Sequence, residues 1–282
     1  MFSVSLATLA AIAWGTGDFA GGLLTKRLPV LAVGVISQGA GLLVTGAIVL
    51  AAEPSLPPGR AIAFGLAGGA FGAVGLGCLY KGLAVGRMGI VAPIAAMSIG
   101  VPVAVGFVAH GDRPSEIQLV GMGLAVLGAV LAATAPDPSL DDGRRSGTGV
   151  GYAVVAALLL GALLTCLDAA GQSSAVWSAF TVRLSSVPLL AVAAIATGVP
   201  MRGIRRSDLA LLLGVGAVDN AANVLFSLAS SRGLLTLVAV IAALVPVVTV
   251  LLAWFLLHER LTHHQLVGVV LALAGVASIA AG

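Results

Sequence analysis

Asp112-Arg113-Pro114-Ser115-Glu116-Ile117-Gln118-Leu119-Val120-Gly121 is matched, at one constant offset, by Glu259-Arg260-Leu261-Thr262-His263-His264-Gln265-Leu266-Val267-Gly268. Each copy is a short charged punctuation, and each stands before the last apolar run of its half of the chain. Ser115 to Gln118 and Thr262 to Gln265 both fit a capping box, in which the hydroxyl caps the helix and Gln reaches back from its third residue. The polar residues here therefore read first as a solvated turn that starts a helix. Their repetition implies that the chain is two copies of one unit.

Outward from these segments, apolar runs of roughly the 20 residues needed to cross a bilayer recur to both ends of the chain. They fall at 4–24, 30–52, 61–80, 90–109 and 117–135, and again at 149–167, 174–197, 209–230, 234–257 and 266–281. Residues 1–135 thus read as a first five-helix repeat, and 136–148 as a linker rich in Pro, Asp, Gly and Ser. Residues 149–282 read as the second repeat. An odd number of spans per half makes the second half enter the membrane in the opposite sense. The expected fold class is an all-α polytopic membrane protein whose ten transmembrane helices form two inverted five-helix repeats.

Composition agrees, with 59% hydrophobic and 9% charged residues and a mean hydropathy of +1.13. A soluble domain carries about 25% charged residues. The pI near 9.3 does not indicate a nucleic-acid partner, because the formal excess is +3 and the basic residues stand singly or in pairs at the ends of apolar runs. The first run lacks a basic leader and is followed by Lys26 and Arg27, the reverse of a signal peptide, so it reads as a true span. Cys78 and Cys166 fall inside apolar runs and behave as small hydrophobes. The expected partners are a small-molecule substrate and the lipid bilayer; the sequence does not set the oligomeric state.

A charged side chain inside a span costs about 2.5–3.5 kcal/mol on insertion scales, so each one is a candidate for function. Asp18 lies four residues after Trp14, which puts carboxylate and indole on one helical face. Either a cation or polar metabolite docks there, or Asp18 touches water and ends the span. Arg183 and Asp219 fall near the middles of adjacent spans and are expected to pair, and Asn223 shares the face of Asp219. That pair is either structural or separates during a transport cycle. Pro93, Pro102 and Pro246 each free a backbone carbonyl, producing kinks that serve as gates or as packing bends. Gly17 and Gly21, Gly65 and Gly69, and Gly68 and Gly72 follow the spacing that lets helices approach closely.

Enzyme signatures are sparse. No GxxxxGK[ST] phosphate loop is present, and His258-Glu259 with His263 is one residue too long for the zinc helix motif. Neither a cofactor nor a metal is expected. The competing classes are a secondary transporter, an intramembrane enzyme using Asp18 or Asp219 as acid or base, and a membrane scaffold. A polar cavity lined from both halves favours the first, a closed catalytic constellation the second, and a solid core the third.

The Trp14-Gly15 pair, Pro246 followed by Ala253-Trp254 and then His258-Glu259-Arg260-Leu261-Thr262, together with the five-plus-five repeat, resemble the EamA-type permeases of the drug/metabolite transporter superfamily. The resemblance covers the chain with departures. The family's Gly-Glu pair is Gly111-Asp112 in one half and His258-Glu259 in the other, and its second-span Arg is Arg183 but Gln38 in the first half. Pro102 stands a turn closer to its acidic residue than Pro246 does, so the two are not equivalent. The resemblance implies alternating-access movement of a small organic solute, in the export direction, across a bacterial inner membrane. It adds Gln38 to the candidate site. Lys and Arg concentrate in the odd-numbered connections, which puts both termini outside, whereas the resemblance implies termini inside.

Overall fold

A computed structural model of the chain describes residues 1–53, 55–86, 88–133, 146–200, 204–258 and 261–282. All regular secondary structure among these residues is helical. The helices are α1 (Phe2–Thr25), α2 (Val30–Ala52), α3 (Gly59–Val85), α4 (Met88–Ala96), α5 (Gly100–Val105), α6 (Glu116–Ala133), α7 (Ser146–Gly171), α8 (Ala175–Ala196), α9 (Arg206–Ser230), α10 (Leu235–Ala242), α11 (Val245–Leu257) and α12 (His263–Ala281). Inside a bilayer only a helix or a closed barrel satisfies every backbone polar group, which accounts for the absence of strands among the described residues.

Nine segments among the described residues are long and apolar enough to span a membrane, from Val30–Ala52 to His263–Ala281. α1, with 24 residues, is long enough but lies outside this set, its apolar run being interrupted by Thr8, Thr16 and Asp18. Most of the linker read at 136–148, together with Glu259 and Arg260 of the second repeated segment, lies outside the described residues.

Two of the nine segments are broken helices. Ile90–His110 runs through α4, a 3-10 turn at Met97–Ile99, α5 and a π-helical turn at Gly106–His110. Leu235–Leu257 breaks between α10 and α11, where Pro246 stands in the first turn of α11 and disfavours helix before it. The two breaks coincide under the repeat offset although the prolines do not: Pro102 sits within α5, one turn beyond its break. It has no N–H to offer the carbonyl of Ser98, and Gly161 of α7 packs against that oxygen.

The packing of one half is repeated by the other. α3 lies on α7 as α1 lies on α9, and α3 on α8 as α2 on α9. Gly69 meets the carbonyl of Val182, and its repeat counterpart Gly216 meets the carbonyl of Ser37. Gly161 faces Ser98 and Val101 as Gly15 faces Val245 and Val248. α6 and α12 pack on each other antiparallel: a Cβ on Gly121 would fall 2.8 Å from the Gly275 carbonyl oxygen, and one on Gly268 would fall 2.8 Å from that of Gly128. Small residues at these crossings allow backbone contact, as their spacing predicts.

Both repeated turns form the expected capping boxes. Gln118 N donates to Ser115 Oγ at 3.2 Å and Ser115 N to Gln118 Oε1 at 2.9 Å; the Thr262–Gln265 distances are 3.3 and 3.0 Å. The solvated-turn reading does not extend to Asp112, which is buried and accepts from Thr236 N at 2.9 Å. The helices ahead of these turns end in left-handed backbone at Gly111 (φ 70°) and at its counterpart His258 (φ 55°). Only glycine adopts this conformation freely.

Two expectations follow. His258→Gly removes a left-handed Cβ that costs about 1–2 kcal/mol, so the variant should unfold at higher temperature in detergent. Gly128→Val forces atoms into the backbone of α12, and overpacking costs about 1–3 kcal/mol. It should lower the folded yield on size-exclusion chromatography, while Gly123→Ala on the open side of the same helix leaves it unchanged.

Candidate functional site

A cavity of about 500 Å³ opens among α1, α2, α3, α4, α7, α8 and α9 and the break between α10 and α11. Both halves wall it. Its lining reaches the C-terminal end of α3 at Leu83, the middle of α4 at Ala92 and the end of α6 at Ala133, so among the described residues it opens toward that end of the bundle. Lys26, Arg27, Lys81, Arg205 and Arg206 lie at the same end. The opposite end is filled: all eight residues of α10 are buried, packed with Ala7, Ala10, Leu167 and Phe226.

The sequence candidates converge on this cavity. Trp14 and Asp18 stand one turn apart on α1 and both line it, and the Trp14 ring lies against Phe226 with centroids 5.7 Å apart. Between them Gly15 lets α1 press onto α11, since a Cβ there would meet Val248 Cβ at 2.5 Å. Gln38 lines the cavity from α2 and accepts from the Ser186 hydroxyl at 2.6 Å. Asn223 lines it from α9 and is 4% exposed.

Arg183 and Asp219 pair as expected, guanidinium Nη2 donating to carboxylate Oδ2. A second fork, Arg183 Nε to Asn220 Oδ1 at 3.1 Å, fixes the plane of the guanidinium. Asn220 Nδ2 donates to the Gly41 carbonyl at 3.0 Å, tying the group to α2. A Cβ on Gly216 or Gly41 would disrupt that seat, so the glycine crossing of α2 on α9 is what brings Asn220 within reach. The Arg183 side chain is 7% exposed and that of Asp219 is 29% exposed, so the pair has one face on the cavity.

Of the three prolines, Pro246 lines the cavity at its break, Pro93 stands within α4 beside the lining residues Ala92 and Ala95, and Pro102 is buried. Sequence reasoning missed Asn220, although an amide next to Asp219 in mid-span was signal enough. It also missed a second polar cluster at the filled end. There His110 Nε2 stands 3.5 Å from Asp168 Oδ2, and Gln172 Nε2 donates to Asp168 Oδ1 at 2.9 Å. Closing the sixth span at Leu167 left Asp168 just outside, whereas α7 continues to Gly171.

Residues 1–134 and 147–281 each match the family model described as the EamA-like transporter family. A crystal structure described only as that of a protein is similar in fold, with a TM-score of 0.78 at 18% identity over 98% of this chain and 96% of that one. No curated protein matches the chain.

Breaking the ion pair from one side leaves a charge without its partner. Arg183→Ala should destabilise the purified protein by up to about 3 kcal/mol, the low end for a buried pair because Asp219 keeps one face on the cavity. Arg183→Ala combined with Asp219→Ala should recover part of that loss in thermal unfolding, a non-additivity that marks direct coupling.

Proposed function

The chain belongs to the EamA-like transporter family, and on that premise we propose that it is a secondary permease carrying a small organic solute by alternating exposure of the central cavity. The observation that carries this reading is one cavity walled by both halves, with an open mouth at one end and packed α10 at the other. A scaffold has no use for such a space. An enzyme needs an acid and a base set beside each other, yet among the described lining residues Arg183 and Asp219 are committed to each other and Ser186 to Gln38, which leaves Asp18 alone.

α1 is the tenth span of this proposal. It packs on α9 and α11 inside the bundle, which turns Asp18 to the cavity and spares it the cost of facing lipid. The antiparallel crossing of α6 and α12 supports halves inserted in opposite senses. That inversion supplies the mechanism. α10 plugs the closed end, and its repeat counterpart, around Ala92 and Ala95 of α4, walls the open mouth. Exchange of the two packings produces the oppositely open state from the same contacts. The breaks at Met97–Ile99 and ahead of Pro246 are the hinges, because each end of these spans then swings separately.

Gradients of ions or of the solute drive the cycle. The concentration of Lys and Arg at the open end supports its facing the cytoplasm. Export across a bacterial inner membrane by a single chain, without cofactor or metal, belongs to the same proposal.

The test is saturable uptake and efflux of a metabolite panel by purified protein in liposomes. At least one solute should exceed protein-free vesicles, and flux of none would reject the transporter. Alternation has its own readout in a background with Cys78 and Cys166 replaced. Ala92→Cys should react with a water-soluble maleimide at rest, and Leu237→Cys in α10 only when the transported solute is present. Labelling of Leu237→Cys that stays absent during flux would sink the exchange of packings.

A further inference from the structure

We propose that the cavity is built for an organic monocation with a flat or compact apolar body, and that Asp18 holds its positive charge. This deepens the transporter reading and rests on it for the direction of movement, but binding tests it separately.

Among the described residues three charged side chains line the cavity: Asp18, Arg183 and Asp219. Two carboxylates against one guanidinium leave one negative charge. Arg183 is spent, its Nη2 on Asp219 and its Nε on Asn220, so an anion inside the cavity finds no free cation among the described lining residues. Asp18 is the opposite case. No ion pair or hydrogen bond reaches its carboxylate among the described residues, and the other charge acting on it is the like charge of Asp219. Asp18 is exposed to the cavity with no protein counter-charge among these residues, so a cation that enters displaces only water to reach it and gains a charge-assisted contact. A hard metal ion does not fit the gap, because Ca²⁺ takes about 6–8 oxygen ligands and Asp18 offers one carboxylate.

The rest of the lining describes the body of that cation. The Trp14 indole stands one turn from Asp18 and lines the cavity beside it, and an aromatic face of this kind attracts an organic cation. Across the cavity stand Leu76, Leu79, Leu160, Leu163 and Leu164. Under the register that matches Gly15 with Gly161, Leu164 occupies the place in the second half that Asp18 holds in the first. The repeats have thus diverged to give one charged wall and one apolar wall. Ligand pockets of about 300–1,000 Å³ hold drug-sized molecules, and a cavity of about 500 Å³ falls in that range.

The test uses three solutes of nearly equal size: 1-methylquinolinium, neutral quinoline N-oxide and quinoline-2-carboxylate. Equilibrium dialysis against the purified full-length protein should show the cation bound about tenfold more tightly than either other solute, a difference of about 1.4 kcal/mol. Asp18→Asn should abolish the preference and Asp18→Glu should keep it. Should Asp18→Asn fail to fold, the wild-type series and Asp18→Glu still decide. Equal binding of all three, preference for the neutral or anionic member, or binding of none overturns the assignment. The same solutes are then followed into proteoliposomes carrying an inside-negative potassium diffusion potential. A cation that binds through Asp18 but does not cross leaves the assignment standing, and when no solute of the metabolite panel crosses either, the transporter reading is removed. Flux of the anion or the neutral solute, with no cation preference, does the reverse.

Discussion

Where α3 crosses α8 and α2 crosses α9, helix backbones touch, and glycine makes the contact possible. Gly69 lies on the carbonyl of Val182 and Gly216 on that of Ser37, so neither position has room for a Cβ. Between two helices in lipid there is no hydrophobic gain from apolar contact, because acyl chains are as apolar as leucine. Close backbone approach supplies dispersion and weak polar contact instead. It also positions the polar groups: with α2 and α9 at this distance, Asn220 reaches the Gly41 carbonyl and holds the guanidinium that neutralises Asp219.

Repeat symmetry governs the backbone far more strictly than the side chains. The glycines that meet neighbouring carbonyls recur in both halves, since any substitution there would separate the helices. The cavity positions have no such restraint. Gln38 corresponds to Arg183, Gly72 to Asp219, Leu76 to Asn223 and Leu164 to Asp18, and all eight line the cavity. The charged members gather on α1, α8 and α9, while α3 and α7 present leucine and glycine. A symmetric bundle thereby encloses an asymmetric site.

The same symmetry underlies the two ends. α10 and the start of α4 are counterparts, yet one is wholly buried and the other walls an open mouth. The two repeat counterparts thus stand in different packings, which supports the proposed exchange between them. At the filled end, Asp112 on the amide of Thr236 and Asp168 beside His110 add polar closure to an apolar plug.

Much of this was legible in the residues. Apolar runs of spanning length, the capping boxes at Ser115 and Thr262, and the repeated offset depend on local chemistry and on the ban on unpaired backbone in lipid, so they are written linearly in the chain. Asp18, Arg183 and Asp219 were equally visible, because a charge in an apolar run is costly enough to need a reason. The pairing of Arg183 with Asp219 was expected from their adjacent spans, and the tertiary structure added the groups that hold it. Asn220 and Ser186 become part of the site through helix crossings whose register depends on glycine contacts between distant segments, and Asp112 changed from an exposed turn residue to a buried acceptor in the same way. The sequence by itself determined the all-helical membrane class, the twofold repeat and the charged candidates. Tertiary structure determined which groups surround that pair and left Asp18 open to the cavity, because such contacts depend on distances across helices that no local pattern records.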